Sequence, residues 1–246
     1  MIALLIAFAL LPGEAAPPLP LEVPLAPGIR RALDSMDGVP VHVVRVHPGA
    51  ARWRFLRTSD PAASWRVDDL TGEGAPLVAF NGGYFDVDGS PMGLMVHEGR
   101  EINPMRRADW GVFWLDSEGR GHLHHRRKFR WPAWAEKVDF AVECGPRVRV
   151  GGKAIQVRPG AARRTLVGVR GDGDLIVAVF PTRVGLQTAG RWLHERWEVV
   201  DLLNLDGGSS TQLALREGGS WRTLARGVAV PVLIGLYPVG ESGKEN

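Results

Sequence analysis

A single cysteine, Cys144, stands in the 246 residues. The chain therefore has no internal disulfide framework and no cysteine-rich zinc site. Its seven histidines include no HExxH pair. Their one cluster, His122-x-His124-His125 before Arg126-Arg127-Lys128, holds no carboxylate and alternates like an exposed strand entering a basic loop. That pattern reads as solvated surface, not as a metal site. Long apolar runs are missing too: the longest, Ile2 to Leu11, is too short to anchor in a bilayer. A basic helix and the usual nucleic-acid motifs are absent, so nucleic acid is not the expected partner. Within residues 39–237 there is no internal repeat and no linker.

What remains is an ordinary globular composition, 45% apolar and 23% charged. The net charge is only +3, yet the pI is about 9.4 and arginine far outnumbers lysine. Arginine suits bidentate capture of phosphate or carboxylate, so an anionic substrate fits. Nine tryptophans can line carbohydrate clefts, although such rings more often pack cores and rims. Residues 1–16 combine the apolar run with Gly13-Glu14-Ala15-Ala16 and read as a secretory signal peptide. The mature chain is then expected in the periplasm or outside the cell, with no membrane anchor left. Residues 17–38 are proline-rich and read as an extended leader or linker.

Residues 39–240 read as one strand-rich α/β (α+β) domain with a mixed central sheet and a few helices. Val41–Val46, Trp53–Leu56, Leu77–Phe80, Met92–His97, Trp110–Leu115, Phe140–Cys144 and Val228–Tyr237 have strand patterning. Arg164–Arg170 and Leu175–Phe180 flank Gly171-Asp172-Gly173-Asp174, the clearest hairpin. Gln187–Trp197 has helical spacing, and Ser64–Leu70 suggests a shorter helix.

Four strand ends share one signature, apolar residues giving way to glycine plus polar groups. They are Asn81-Gly82-Gly83, Glu143-Cys144-Gly145-Pro146-Arg147, Arg163-Arg164-Thr165 and, after Val199–Leu203, Asp206-Gly207-Gly208-Ser209-Ser210. Several such ends on one scaffold suggest a shared crevice. Glycine lets backbone approach a ligand, and successive N–H groups can line an anion-binding nest. Each end also has a plainer reading as a turn. Asp206, Asp86 and Asp88 would also suit a structural Ca²⁺, but nothing in the spacing requires a cofactor.

These motifs, in this order and approximate spacing, resemble the phosphodiester glycosidase family over residues 39–237. The last carries two glycines where many members have three. The resemblance implies an exported hydrolase that cleaves the glycosidic bond of a sugar-1-phosphate diester, in a small molecule or an envelope-type polysaccharide. It implies Asp206 and Glu143 as catalytic carboxylates and Arg164, with Arg163 or Arg147, as a phosphate clamp. Asn81, Gly82, Gly83, Thr165, Gly207, Gly208, Ser209 and Ser210 would complete the substrate contacts. Arg163 and Arg164 are adjacent on a strand and should face opposite sides; the same holds for Glu143 and Cys144. Two other readings stay open. One is a non-catalytic module binding an anionic glycan; the other is a hydrolase using Cys144, which would need a nearby histidine.

Overall fold

A computed structural model describes residues 18–57, 63–70, 72 and 74–240; the expected signal peptide over 1–16 lies outside them. Alternation of apolar and polar residues, punctuated by glycine turns, sets the strands in chain order. A meander opens the fold: β1 (Val23–Ala26), β2 (Ile29–Met36) and β3 (Val39–Val46). Next come β4 (Ala51–Leu56) and β5 (Val78–Asn81). A second group follows, with β6 (Met95–His97), β7 (Arg100–Asn103), β8 (Gly111–Asp116), β9 (Gly121–His125) and β10 (Val138–Cys144). Then come β11 (Arg147–Val150), β12 (Lys153–Ala154), β13 (Ala161–Arg170) and β14 (Leu175–Gly185). The helix α1 (Leu186–Trp197) leads into β15 (Val199–Asn204). The chain ends with β16 (Leu213–Glu217), β17 (Ser220–Ala225) and β18 (Leu233–Pro238).

They form three sheets: β1-β2-β3-β14-β13-β15-β11-β12, β7-β6-β10-β8-β9 and β17-β16-β5-β18-β4. Every named pairing is antiparallel, so the mixed sheet expected from the sequence is not formed. Tight turns join seven of the fifteen strand pairs, and parallel pairing would need long crossovers. The expected few helices reduce to α1 as the one α-helix among the described residues. Ser64–Leu70 yields only the 3₁₀ turn Val67–Asp69, which buries Val67 alone and so lacks an apolar stripe for a longer helix.

The leader reading of 17–38 also fails beyond its first residues. β2 pairs with β3 from Ile29↔Val46 to Met36↔Val39, and Ile29, Ala32 and Met36 are buried. Pro24 lies on edge strand β1, where a missing N–H interrupts little, and Pro27 sits in the turn ahead of β2. The buried Asp34 carboxylate accepts from the Arg196 guanidinium and Trp197 Nε1, each at 3.0 Å, and ties β2 to α1.

One face of each sheet contributes to a shared core, including Val44 and Val177 from the first, Phe113 and Phe140 from the second and Trp53 and Phe80 from the third. The opposite face of the eight-stranded sheet is covered by Leu186, Ala189, Leu193 and Trp197 of α1. This explains the unbroken apolar runs of β13 and β14, which are buried on both faces. Phe129, Trp131 and Trp134 cover the outer face of the second sheet.

Candidate active site

The ends of β5, β10 and β15 and the start of β13 meet at one end of the molecule, where the three sheets adjoin. Asn81 is their hub. It is 1% exposed; its Oδ1 accepts from Thr165 Oγ1 at 2.6 Å and from the Gln212 N–H at 3.1 Å. Its Nδ2 donates to the carbonyls of Asp206 at 2.8 Å and Gly82 at 3.3 Å. Two backbone bonds reinforce the junction, Leu205 N–H to Thr165 O at 2.9 Å and Asp206 N–H to Gly82 O at 3.2 Å. Asn81 and Thr165 are thus committed inward: the amide for which the resemblance implied a substrate contact has both donors and both acceptor lone pairs engaged by protein.

The clamp presents Asp206. Its Oδ1 accepts the Gly207 N–H at 2.8 Å, and the Ser210 hydroxyl also bonds the carboxylate. Burial nevertheless raises the carboxyl above the ordinary aspartate range; the two hydrogen bonds oppose that shift without cancelling it. Gly207 is required by close packing, since a Cβ there would lie 2.7 Å from Arg163 O. Gly208 has φ +61°, Ser209 is exposed and Ser210 buried.

A second chain of contacts links β10. Tyr84 Oη donates to Gly145 O at 2.6 Å and accepts from Asn204 Nδ2 at 3.2 Å. Burial raises the phenol's pKa; nearby Cys144 and Asp206 add to the rise, against Arg164 and the Asn204 bond. Its ring lies 5.2 Å from that of Trp110. Tyr84, Trp110, Gly145, Pro146 and Arg164 line an open cavity of about 570 Å³, with the segment Gln156–Gly160 as its far wall.

The arginines separate. Arg164 lines the cavity, anchored by Nε to Val184 O at 3.3 Å and Nη2 to Gly160 O at 2.9 Å. Burial lowers its pKa, partly offset by Tyr84. Arg163 turns away and donates to the carbonyls of Thr211 at 2.7 Å and Arg226 at 2.5 Å. Arg147 lays its stem against Gly111, where a Cβ would lie 2.5 Å from Arg147 Cγ, and is not among the cavity-lining residues.

Glu143 and Cys144 project to opposite faces of β10. Cys144 belongs to the shared core, is wholly buried, and burial pushes its thiol up to about 12. Glu143 is 1% exposed; its Oε2 accepts backbone N–H groups of Leu94 at 2.9 Å and Arg106 at 2.8 Å. Burial raises its pKa against those bonds and the charges of Arg126 and Arg106. It does not line the cavity.

The histidine cluster is absorbed into packing. His124 Nδ1 accepts from Trp114 Nε1 at 3.0 Å, and His122 stacks on Trp114 at 4.2 Å. Among the described residues no three His, Cys, Asp or Glu side chains converge on a metal position. Asp86 and Asp88 serve a turn, accepting from the N–H groups of Val87 at 2.8 Å and Ser90 at 2.9 Å.

Residues 75–237 match the sequence profile named phosphodiester glycosidase. The chain belongs to the phosphodiester glycosidase family. That family membership makes a glycosidase-type hydrolase the class of activity to examine. The fold is shared with the zebrafish N-acetylglucosamine-1-phosphodiester alpha-N-acetylglucosaminidase catalytic domain, auto-inhibited by pro-peptide. That match has TM-score 0.66 and 17% identity, over 92% of this chain and 86% of the other. A hypothetical protein from Synechocystis matches with TM-score 0.59 and 15% identity, over 92% of this chain and 64% of its own. A protein from Burkholderia pseudomallei described as a putative exported protein matches with TM-score 0.59 and 13% identity, over 82% and 75% of the two chains. No curated protein matches the chain in sequence.

Among the residues around the cavity, sequence reasoning missed Trp110, Asn204 and the wall Gln156–Gly160. Trp110 was read as a strand residue, and the wall has neither periodicity nor a motif. The abundance of tryptophan was the one usable signal.

Proposed function

We propose that this member of the family hydrolyses the bond between an anomeric carbon and phosphate in a glycosyl phosphodiester. One observation carries the reading: Asp206, whose carboxyl pKa burial raises, sits at the Gly207 turn that packs against Arg164, and Arg164 lines an open cavity of which Asp206 is not itself a lining residue. The anomeric C–O bond breaks with its electron pair leaving on phosphate, and water supplies the hydroxyl to the sugar. The leaving phosphate monoester has a second pKa of about 6, so it departs without strong protonation. That chemistry needs one carboxylate and a cation more than it needs a second acid. Arg164 neutralises the phosphate. Asp206 either takes the proton of the attacking water or bonds to the anomeric carbon; the stereochemistry of the released sugar separates the two. Trp110 offers the sugar an apolar face.

Glu143 receives a different role from the one the motif suggested. Its Oε2 fastened to the backbone N–H groups of Leu94 and Arg106, it positions the segment between them. We further propose export, on the reading of residues 1–16 as a signal peptide.

The test is hydrolysis of a panel of sugar-1-phosphate diesters and nucleotide sugars by the purified mature chain, beside Asp206→Asn. Free sugar released by wild type and lost in the folded variant supports the reading. Binding of anionic glycan without turnover, unchanged in Asp206→Asn, would replace it with a non-catalytic binding module.

A further inference from the structure

The charged groups are distributed unevenly between the two ends of the sheets. β10 runs from Asp139 at one end to Cys144 at the other. Around Asp139, a cavity of about 490 Å³ is lined by Glu98, Asp116 and Glu118 together with Arg52 and Arg54. Carboxylates outnumber arginines there, Asp139, Glu98, Asp116 and Glu118 against Arg52 and Arg54, and neighbouring Arg120 pairs with both Asp116 and Glu118. At the Cys144 end the balance is reversed. Arg106, Arg107, Arg127 and Arg158 are all exposed, and among the described residues none has a carboxylate partner.

Their placement follows the cavity walls. Arg158 belongs to the wall Gln156–Gly160. Opposite it, the Arg106 guanidinium lies 5.8 Å from the centre of the Trp110 ring. Arg126 N–H donates to Trp110 O at 3.1 Å, which brings the basic loop to the same wall. The Arg127 N–H donates to His125 Nδ1 at 3.0 Å, and His125 Nε2 in turn meets Asp109 at 2.7 Å. Asp109 is the one carboxylate on this wall, and it is taken up by that histidine. A single diester carries one negative charge, which Arg164 alone can meet. Arg158 on the cavity wall and Arg106 against Trp110 add cations beyond the one that a single phosphate requires.

Building on the activity proposed above, we infer that the substrate is a polyanionic glycan, a chain with repeated phosphate groups running across the cavity. The scissile diester sits at Arg164 while neighbouring phosphates lie along Arg158 on one side and Arg106 and Arg127 on the other. Such a one-signed rim raises the local concentration of the polymer and its association rate, and salt screens both effects.

The experiment compares synthetic sugar-1-phosphate oligomers carrying one, two and four phosphates. kcat/KM is measured at about 20 mM and about 500 mM salt, where screening runs from weak to nearly complete. The expected result is at least a tenfold preference for the four-phosphate oligomer at low salt, closing at high salt. The Arg106→Ala/Arg127→Ala double variant should lose that preference. Equal kcat/KM across the series, or a preference indifferent to salt and to the double variant, would overturn the inference. A second arm measures binding of the labelled oligomers to Asp206→Asn by fluorescence anisotropy, with single-stranded DNA of equal phosphate number as competitor. If no oligomer is cleaved, the activity reading fails, and this arm alone decides the polyanion. Salt-dependent binding that strengthens with phosphate number sustains it; DNA bound as tightly as glycan overturns the substrate class.

Discussion

The Asn81 side-chain amide donates to the main-chain carbonyl of Asp206 at 2.8 Å, so the end of β5 holds the carboxylate-bearing turn from behind. The same side chain accepts from Thr165 on β13. Asn81→Ala would leave buried Thr165 and Gln212 donors unpaired, at about 1–3 kcal/mol for each group stranded. Thr165→Val removes one of the same bonds. Chemical denaturation of both single variants and the double variant should give a coupling of at least about 0.5 kcal/mol. Additive effects would show that the two residues do not act as a unit.

Asp206 carries a cost that its proposed role in catalysis would explain. Burial raises its carboxyl pKa, so the folded chain holds that proton more tightly than the unfolded chain does. The stability involved is fully present below the unfolded pKa and declines as pH rises through the folded one. Asp206→Asn removes the charge while an amide oxygen still accepts the Gly207 N–H. At pH 7 the variant should gain about 0.5–2 kcal/mol, a gain that disappears near pH 3, while turnover falls by about 10²–10⁴. A variant less stable than wild type at neutral pH contradicts the assignment.

Glu143 tests position against chemistry. Glu143→Gln keeps an oxygen for the Leu94 and Arg106 N–H groups and should stay folded, with kcat within about tenfold of wild type and an unshifted pH profile. Glu143→Ala strands both donors and should cost about 2–4 kcal/mol. Loss of one limb of the kcat–pH profile in folded Glu143→Gln would instead restore Glu143 as a proton carrier.

Cys144 should be inert. With the thiol buried and its pKa pushed up to about 12, iodoacetamide should neither label nor inactivate the native protein over hours at pH 8. Cys144→Ala should retain activity and lose about 1–2 kcal/mol of stability. Rapid stoichiometric inactivation by the alkylating agent would revive a thiol nucleophile.

Gly190 sits inside α1 against β11, where an added Cβ would collide with Val148 Cγ1. Alanine gains about 1 kcal/mol of helix propensity over glycine, yet overpacking costs about 1–3 kcal/mol. Gly190→Ala should therefore lower Tm, and Val148→Ala in the same chain should recover part of the loss. A Gly190→Ala variant that melts higher than wild type refutes the close contact.

The fold was legible wherever local chemistry decided the outcome. The helix over Gln187–Trp197 was visible because Leu186, Leu193 and Trp197 mark one face, and the β13–β14 hairpin because its glycines and aspartates mark a turn. β2 was hidden by the prolines before it, and antiparallel pairing throughout is a property of assembly that no single segment announces. At the site, the glycine-rich ends gave the address but not the orientation. Period-two geometry said that one of Arg163 and Arg164 turns away; which one was set by the Thr211 and Arg226 carbonyls, distant in sequence. That Glu143 Oε2 accepts from the backbone N–H groups of Leu94 and Arg106 is likewise something residue types cannot reveal.

The junction around Asn81 draws on all three sheets: β5 from one, β13 and β15 from another, and, through Tyr84 and Gly145, β10 from the third. No sheet can loosen without releasing part of the cavity. Loss of the proposed activity on heating is therefore expected to track global unfolding, the midpoints of the two curves coinciding.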